Sequence, residues 1–278
     1  MEGDEEQLTE QETALYDRQI RVWGADAQRR LSKSHILVHG MKGTVAEFCK
    51  NIVLAGVGSV TLVDDRMVTE EALSANFLIP PEENAGHGKT LAELCCDSLK
   101  EFNPMVHVSF LLSCEKEIDQ SEMTENYKYS KEKIEETIDC QLEYPSFEEA
   151  ISVPWTALRG KVSKLYFAMR VIEHFEEIED RNPGDISITD LHGLLNLKKE
   201  LCEANSLKES HVPDALLERL VKHKWEFPPV CVIIGGFLGQ EVIKAISGKG
   251  DPLKNFFYFD ALDGKGLIED ISNANTKN

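Results

Sequence analysis

The sequence predicts an α/β fold: a Rossmann-like parallel sheet with flanking helices, ended early and followed by a helical segment and a C-terminal hairpin. Three observations carry this. Apolar runs at 35–39 and 59–64 enclose a glycine turn and a helical period, and such a strand, helix and strand form a right-handed parallel unit. A third run at 105–112 alternates Val106, Val108 and Phe110 against His107 and Ser109. Beyond it, residues 113–139 contain no apolar run of four, so the sheet stops short of the next buried strand that a doubly wound fold supplies.

With 278 residues and 42% apolar content, the chain can bury a sizeable core, as one large domain or one domain with an insertion. A net charge of −19 argues against a nucleic-acid or anionic-membrane surface and favours protein partners with basic patches. No run is read as approaching the roughly 18–20 apolar residues of a membrane span. The acidic start (Glu2, Asp4, Glu5, Glu6) is unlike a signal peptide, so an intracellular chain is expected. Seven scattered cysteines without a Cys-x-x-Cys pair predict buried, inert thiols and no structural zinc.

Residues 1–12 carry six acids and no base, which predicts a disordered lead-in through residue 13. A single domain, 14–278, is expected after it, with a helical insertion at about 155–227. From 14 to 31, Ile20, Trp23, Ala27 and Leu31 mark an amphipathic helix broken at Gly24. Its polar face holds Arg18, Arg21, Arg29 and Arg30, which composition alone reads as solvated. The first strand runs into Gly40-Met41-Lys42-Gly43-Thr44, and a helix follows with Val45, Phe48, Cys49, Ile52 and Ala55 on one face. Asp64 ends the second strand about 20 residues beyond the loop, where dinucleotide folds place an acid. The loop is a weak nucleotide signal, because Met41 and Lys42 stand where glycine lets backbone N–H groups approach phosphates.

Residues 66–84 read as irregular, and a helix is predicted over 89–102, stopped by Asn103-Pro104. After a Lys- and Glu-rich segment, 137–144 reads as an alternating strand with Ile138, Cys140, Leu142 and Tyr144 on one face. Helices follow at about 165–175, 188–204 and 215–221. A long buried helix over 230–246, rich in glycine, is closed by Gly248. The segments 256–260 and 266–271, joined at Asp263-Gly264, form a terminal hairpin.

The motif Tyr16-Asp17-Arg18-Gln19-Ile20-Arg21-Val22-Trp23-Gly24 stands ahead of the glycine loop. With Asn103-Pro104-Met105-Val106, Phe147-Glu148-Glu149-Ala150, Pro228-Pro229-Val230-Cys231 and Asn255-Phe256-Phe257-Tyr258-Phe259-Asp260, it resembles the small, non-thioester subunit of the heterodimeric SUMO-activating enzymes, within the ThiF-like ubiquitin-activating enzyme family. The resemblance covers nearly the whole chain except about 111–125. It implies a ThiF-type pseudo-adenylation domain with an accessory role. A large partner subunit would hold ATP, magnesium and the thioester cysteine, and SUMO would be reached through the complex. Residence in the nucleus is implied, with the cytoplasm as a second location, and neither nucleic acid nor membrane as partner.

Active halves of the family carry Asp-x-Asp followed by Asn-x-Asn-Arg-Gln; this chain has Asp64-Asp65-Arg66 and Ser74-Ala75-Asn76-Phe77. Its own loop, marked by Gly40, Gly43 and Asp64, is therefore expected to be degenerate, with no cofactor and no metal bound by this chain. The resemblance assigns Arg18 a role in trans, on the γ-phosphate of the partner's ATP, while Arg21 either assists it or makes a structural ion pair. Relatives hold several tens of residues between the third strand and Tyr127-Lys128-Tyr129, where this chain has about 20, which reads as an internal deletion. The alternatives are a non-productive decoy that binds the large subunit, and an NAD-dependent oxidoreductase built on the glycine loop and Asp64.

Overall fold

The computed structural model describes residues 7–81, 88–112, 128–133, 136–141, 144–158, 162–222 and 226–271. Two compact units divide the chain: Met1–Leu142 with Glu226–Pro252, and Glu143–Trp225 with Leu253–Asn278.

The first unit opens with three short helices, α1 (Glu10–Leu15), α2 (Asp17–Trp23) and α3 (Ala25–Ser32). Helix α1 begins inside the stretch expected to be a disordered lead-in. A capping box accounts for it: Thr9 Oγ1 accepts from the Glu12 N–H at 3.1 Å, and the Glu12 carboxylate accepts from the Thr9 N–H at 2.8 Å. The break at Gly24 (φ +88°) is as expected, and a second break falls at Tyr16.

Three parallel strands then form, joined by one helix in the first crossover and two in the second: β1 (His35–His39), α4 (Gly43–Ala55), β2 (Ser59–Val63), α5 (Glu70–Ala75), α6 (Leu91–Lys100) and β3 (His107–Leu111). The strand order is β1-β2-β3, with Ser59 of β2 facing His35 of β1 and His107 of β3. The α/β class and the short parallel sheet thus follow the sequence expectation. Ile52 and Cys49 of α4, Leu94 and Leu99 of α6, and Val60 and Leu62 of β2 are buried in one core. Residues 66–84 are not wholly irregular, because α5 lies within them. Thr69 caps it by accepting from the Ala72 N–H, and Glu70 and Glu71 favour its positive N-terminal end.

An antiparallel pair, β4 (Lys128–Lys133) and β5 (Glu136–Gln141), follows in a separate sheet. β4 falls in the Lys- and Glu-rich segment where no strand was expected, since strand pairing does not require an apolar pattern. The expected alternating strand survives as β5; Leu142 and Glu143 lie outside the described residues, as do the side chains of both strands.

A long helix, α12 (Pro228–Ser247), completes the unit after the chain has passed through the second. Pro228 and Pro229 stand in its first turn, where a missing N–H matters little, and Gly248 closes it in the left-handed conformation. With 20 residues and a mean hydropathy of 1.6, it is long and apolar enough to cross a membrane, which corrects the expectation that no run approaches that length. One face packs on α4, where Gly235 and Gly239 press on Glu47, Thr44 and Asn51, whereas Val232, Ile233 and Leu238 are exposed, so the helix expected to be buried over 230–246 is buried along one face only.

The second unit holds α7 (Phe147–Ile151), α8 (Trp155–Leu158), α9 (Lys164–Ile178), α10 (Leu191–Ala204), α11 (Asp214–Lys222) and the hairpin β6 (Phe256–Asp260) and β7 (Lys265–Glu269). Tyr166, Phe167, Leu194 and Leu217 form its core, and Phe256 and Tyr258 of the hairpin pack on it. The helical stretch expected as an insertion at about 155–227 therefore shares a core with the terminal hairpin.

Candidate nucleotide-related site

The conspicuous motif at 16–24 is fastened to the far end of α4. Tyr16 is buried and its hydroxyl accepts from Asn103 Nδ2 at 2.9 Å, while the same amide also donates to the Val53 carbonyl at 2.9 Å. Burial pushes the Tyr16 phenol up, the Asn103 hydrogen bond opposing and the Glu12 charge adding to it. Gln19 Nε2 donates to the Leu54 carbonyl at 3.1 Å, and Gln28 joins Trp23 Nε1 (3.0 Å) to the Ala55 carbonyl (3.0 Å). All these anchors lie at the C-terminal end of α4. The glycine loop lies at its N-terminal end, 13 residues or about 20 Å away at 1.5 Å per residue.

On α2, Arg18 is exposed and has no ion-pair partner among the described residues. Arg21 pairs with Asp17 one turn earlier at 2.9 Å, on an open surface. Of the two roles held open for Arg21, the geometry displays the ion pair. It brings neither arginine to the chain's own glycine loop.

Gly40, Gly43 and Asp64 do come together, but their donors and acceptors are spent on the chain itself. Gly40 (φ +84°) donates to the Val63 carbonyl at 2.8 Å, and Met41 turns inward, fully buried. The Asp64 carboxylate accepts from the Met41 N–H (2.7 Å), the Arg66 N–H (3.0 Å), Arg66 Nε (2.9 Å) and Arg66 Nη2 (2.6 Å). Burial pushes the Asp64 carboxyl up, but the Arg66 guanidinium and the two N–H groups outweigh it and hold the group below its ordinary range. An acid so engaged is not open to ribose hydroxyls, which counts against the oxidoreductase alternative.

At the first turn of α4, the Glu226 carboxylate accepts from the Gly43 N–H (2.7 Å), the Thr44 N–H (3.1 Å) and Thr44 Oγ1 (3.1 Å). A phosphate needs those N–H groups, and here a carboxylate has them. Glu226 was not singled out from the sequence. Its only signal is an acid two residues ahead of the Pro228-Pro229 helix start. With Glu226 and Asp64 both present as carboxylates, the loop does not fit a nucleotide phosphate. A cavity of about 180 Å³ in the second unit is lined by Lys164, Arg219, Tyr258 and Asp260, and includes none of the residues predicted for the site.

The ThiF family matches residues 16–141. The chain is 59% identical to SUMO-activating enzyme subunit 1B-1 of Arabidopsis thaliana, with 98% of this chain and 99% of that one covered. It is 31% identical to SUMO-activating enzyme subunit 1 of Dictyostelium discoideum, with 94% of each covered. The plant alignment spans 319 positions and takes in 98% of the 278 residues here, so about 47 positions of the relative have no counterpart in this chain. Among solved structures, E. coli MccB with ATP aligns with a TM-score of 0.52 at 12% identity, over 94% of this chain and 73% of that one. PaaA aligns with a TM-score of 0.51 at 15% identity, over 96% and 75%. The structural matches carry the fold alone, while the near full-length identity to the plant protein carries the family: the chain belongs to the SUMO-activating enzyme subunit 1 family and contains a ThiF domain.

Proposed function

We propose that this chain is the accessory subunit of a SUMO-activating enzyme. It pairs with a large subunit that holds ATP and magnesium and that carries the thioester cysteine, and it resides in the nucleus. Arg18 completes the adenylation site in trans. One observation carries the reading: the chain's own glycine loop is filled by Glu226, Met41 and Arg66, while Arg18 stands exposed and unpaired among the described residues, at the other end of α4.

Adenylation joins the C-terminal carboxylate of the modifier to the α-phosphate of ATP and expels pyrophosphate. Negative charge grows on the leaving group, and a guanidinium held against it lowers the barrier. In the test, the Arg18→Ala heterodimer assembles normally by size exclusion and loses about 10²–10³-fold in ATP–pyrophosphate exchange, the range of a lost transition-state donor. Arg21→Ala, which breaks only an exposed pair with Asp17, changes exchange by less than about threefold. Wild-type exchange by the Arg18→Ala dimer would overturn the assignment. Mixing the wild-type chain with the large subunit, ATP and SUMO tests the wider reading. A thioester on the large subunit supports it, and a bound but thioester-free complex identifies a non-productive form instead.

A further inference from the structure

We propose that Glu226 is a built-in plug: its carboxylate occupies the phosphate seat of the glycine loop and keeps this chain from binding nucleotide there, and its removal uncovers a site for a phosphate-bearing ligand.

A helix end alone would say little. Here the chain has carried its own anion to that end from 183 positions away, and the anion takes two consecutive N–H groups and the Thr44 hydroxyl. Those are the donor types, in the first turn after a strand and a glycine loop, that hold phosphate in nucleotide folds. The Glu226 carboxylate also accepts from the Cys231 thiol at 3.8 Å, so it is held by α12 as well as by α4. Around it the remaining charges suit an anion. The Arg66 guanidinium comes within 3.7 Å of where a Cβ on Gly40 would stand, and Lys42 is exposed beside the loop. The opposing charges are Asp64, to which Arg66 is already bonded, and Asp65 and Glu71, which also act on Arg66. Without the Glu226 carboxylate, the α4 donors and the basic residues would face an empty seat.

Such a plug would leave a two-subunit enzyme with a single nucleotide seat. That consequence rests on the accessory-subunit reading; the plug itself does not, and its test involves neither SUMO nor the large subunit. The experiment measures amide hydrogen exchange of the peptide spanning 41–46 in the full chain as wild type, Glu226→Gln and Glu226→Ala, each with and without millimolar inorganic pyrophosphate. In the wild type, the Gly43 and Thr44 amides are expected to be protected and indifferent to pyrophosphate. In Glu226→Ala they are expected to exchange at least about tenfold faster and to recover protection when pyrophosphate is added. Glu226→Gln, which keeps the shape and one acceptor oxygen, is expected to be partly protected and to gain protection with pyrophosphate. It carries the test if the alanine variant does not fold. The proposal fails if Glu226→Ala keeps wild-type protection without any anion, or if pyrophosphate restores protection in neither variant.

Discussion

The ring of Tyr16 lies across the backbone of Gly56, so closely that a Cβ on the glycine would stand 2.4 Å from the ring carbon Cζ. Gly56 also ends α4 in the left-handed conformation, at φ +83°. Two constraints therefore meet at one residue, and together they fix the helix that bears Arg18. Gly56→Ala should destabilise the chain by about 2–4 kcal/mol, from left-handed strain plus displacement of the ring. Asn103→Ala, which strips the buried Tyr16 hydroxyl of its donor and leaves the Val53 carbonyl with the Gly56 N–H, should cost about 1–3 kcal/mol. Denaturant unfolding measures both, and Gly56→Ala should also lower pyrophosphate exchange in proportion to the displacement of α2.

The Asp64–Arg66 contact sets an acid-side prediction. The folded-state pKa of Asp64 lies below its ordinary 3.8, so its contribution to stability is present above that value and is lost as pH falls through the folded pKa. Arg66→Met removes the guanidinium charge and two of the four hydrogen bonds to the buried carboxylate, leaving burial opposed by the Met41 and Arg66 backbone N–H groups. The acid-unfolding midpoint of Arg66→Met, followed by circular dichroism, should move to higher pH than wild type. An unchanged midpoint would mean that Asp64 does not titrate in that transition.

Much of the first unit was legible in the sequence because its signals are local. Glycine turns follow β1 and precede β2, apolar periods mark α4 and α6, and Asn103-Pro104 stops the helix just before β3. Of the features that were not legible, two share a reason. Helix α5 depends on a Thr69 cap and on Ala75 packing against Gly43, where a Cβ on the glycine would stand 2.7 Å from the Ala75 carbonyl oxygen. The Glu226 contact joins residues 183 positions apart. Neither leaves a periodic trace. The defect at the glycine loop was visible through Met41, but what fills the seat was not, because an acid ahead of a Pro-Pro helix start looks like any solvated charge.

Cys49 and Cys95 give an alkaline-side prediction. Burial pushes both thiols up to about 12, from 9.0. A raised folded pKa contributes stability that is present below pH 9 and is lost as pH rises towards 12. Neither thiol should react with Ellman's reagent at pH 8 in the native chain, and both should react once it is denatured. Thermal stability should fall between pH 9 and about 12, and the Cys49→Ala, Cys95→Ala double variant should show a shallower fall. Native-state labelling of either cysteine, located by peptide mapping, would contradict the packing described for α4 and α6.

The packing of α12 on α4 makes the most position-specific prediction, because two neighbouring glycines of one helix have opposite surroundings. A Cβ on Gly235 would stand 2.6 Å from the Glu47 Cβ, 2.7 Å from the Thr44 carbonyl oxygen and 2.8 Å from the Phe48 nitrogen. Backbone atoms cannot yield as a flexible side chain does, so the helices would have to part. Gly236 meets only the Asn51 amide nitrogen, at 3.9 Å, an ordinary contact. Gly235→Ala should therefore destabilise by about 2–4 kcal/mol through overpacking. Gly236→Ala should be neutral or stabilising by up to about 1 kcal/mol, since alanine is the better helix former and nothing opposes it. The helix's apolar length is compatible with a membrane span, and the two substitutions separate that use from core packing. A helix in lipid, unpacked from α4, would tolerate both alanines alike, whereas the packed helix resolves them by several kcal/mol in the same denaturation experiment.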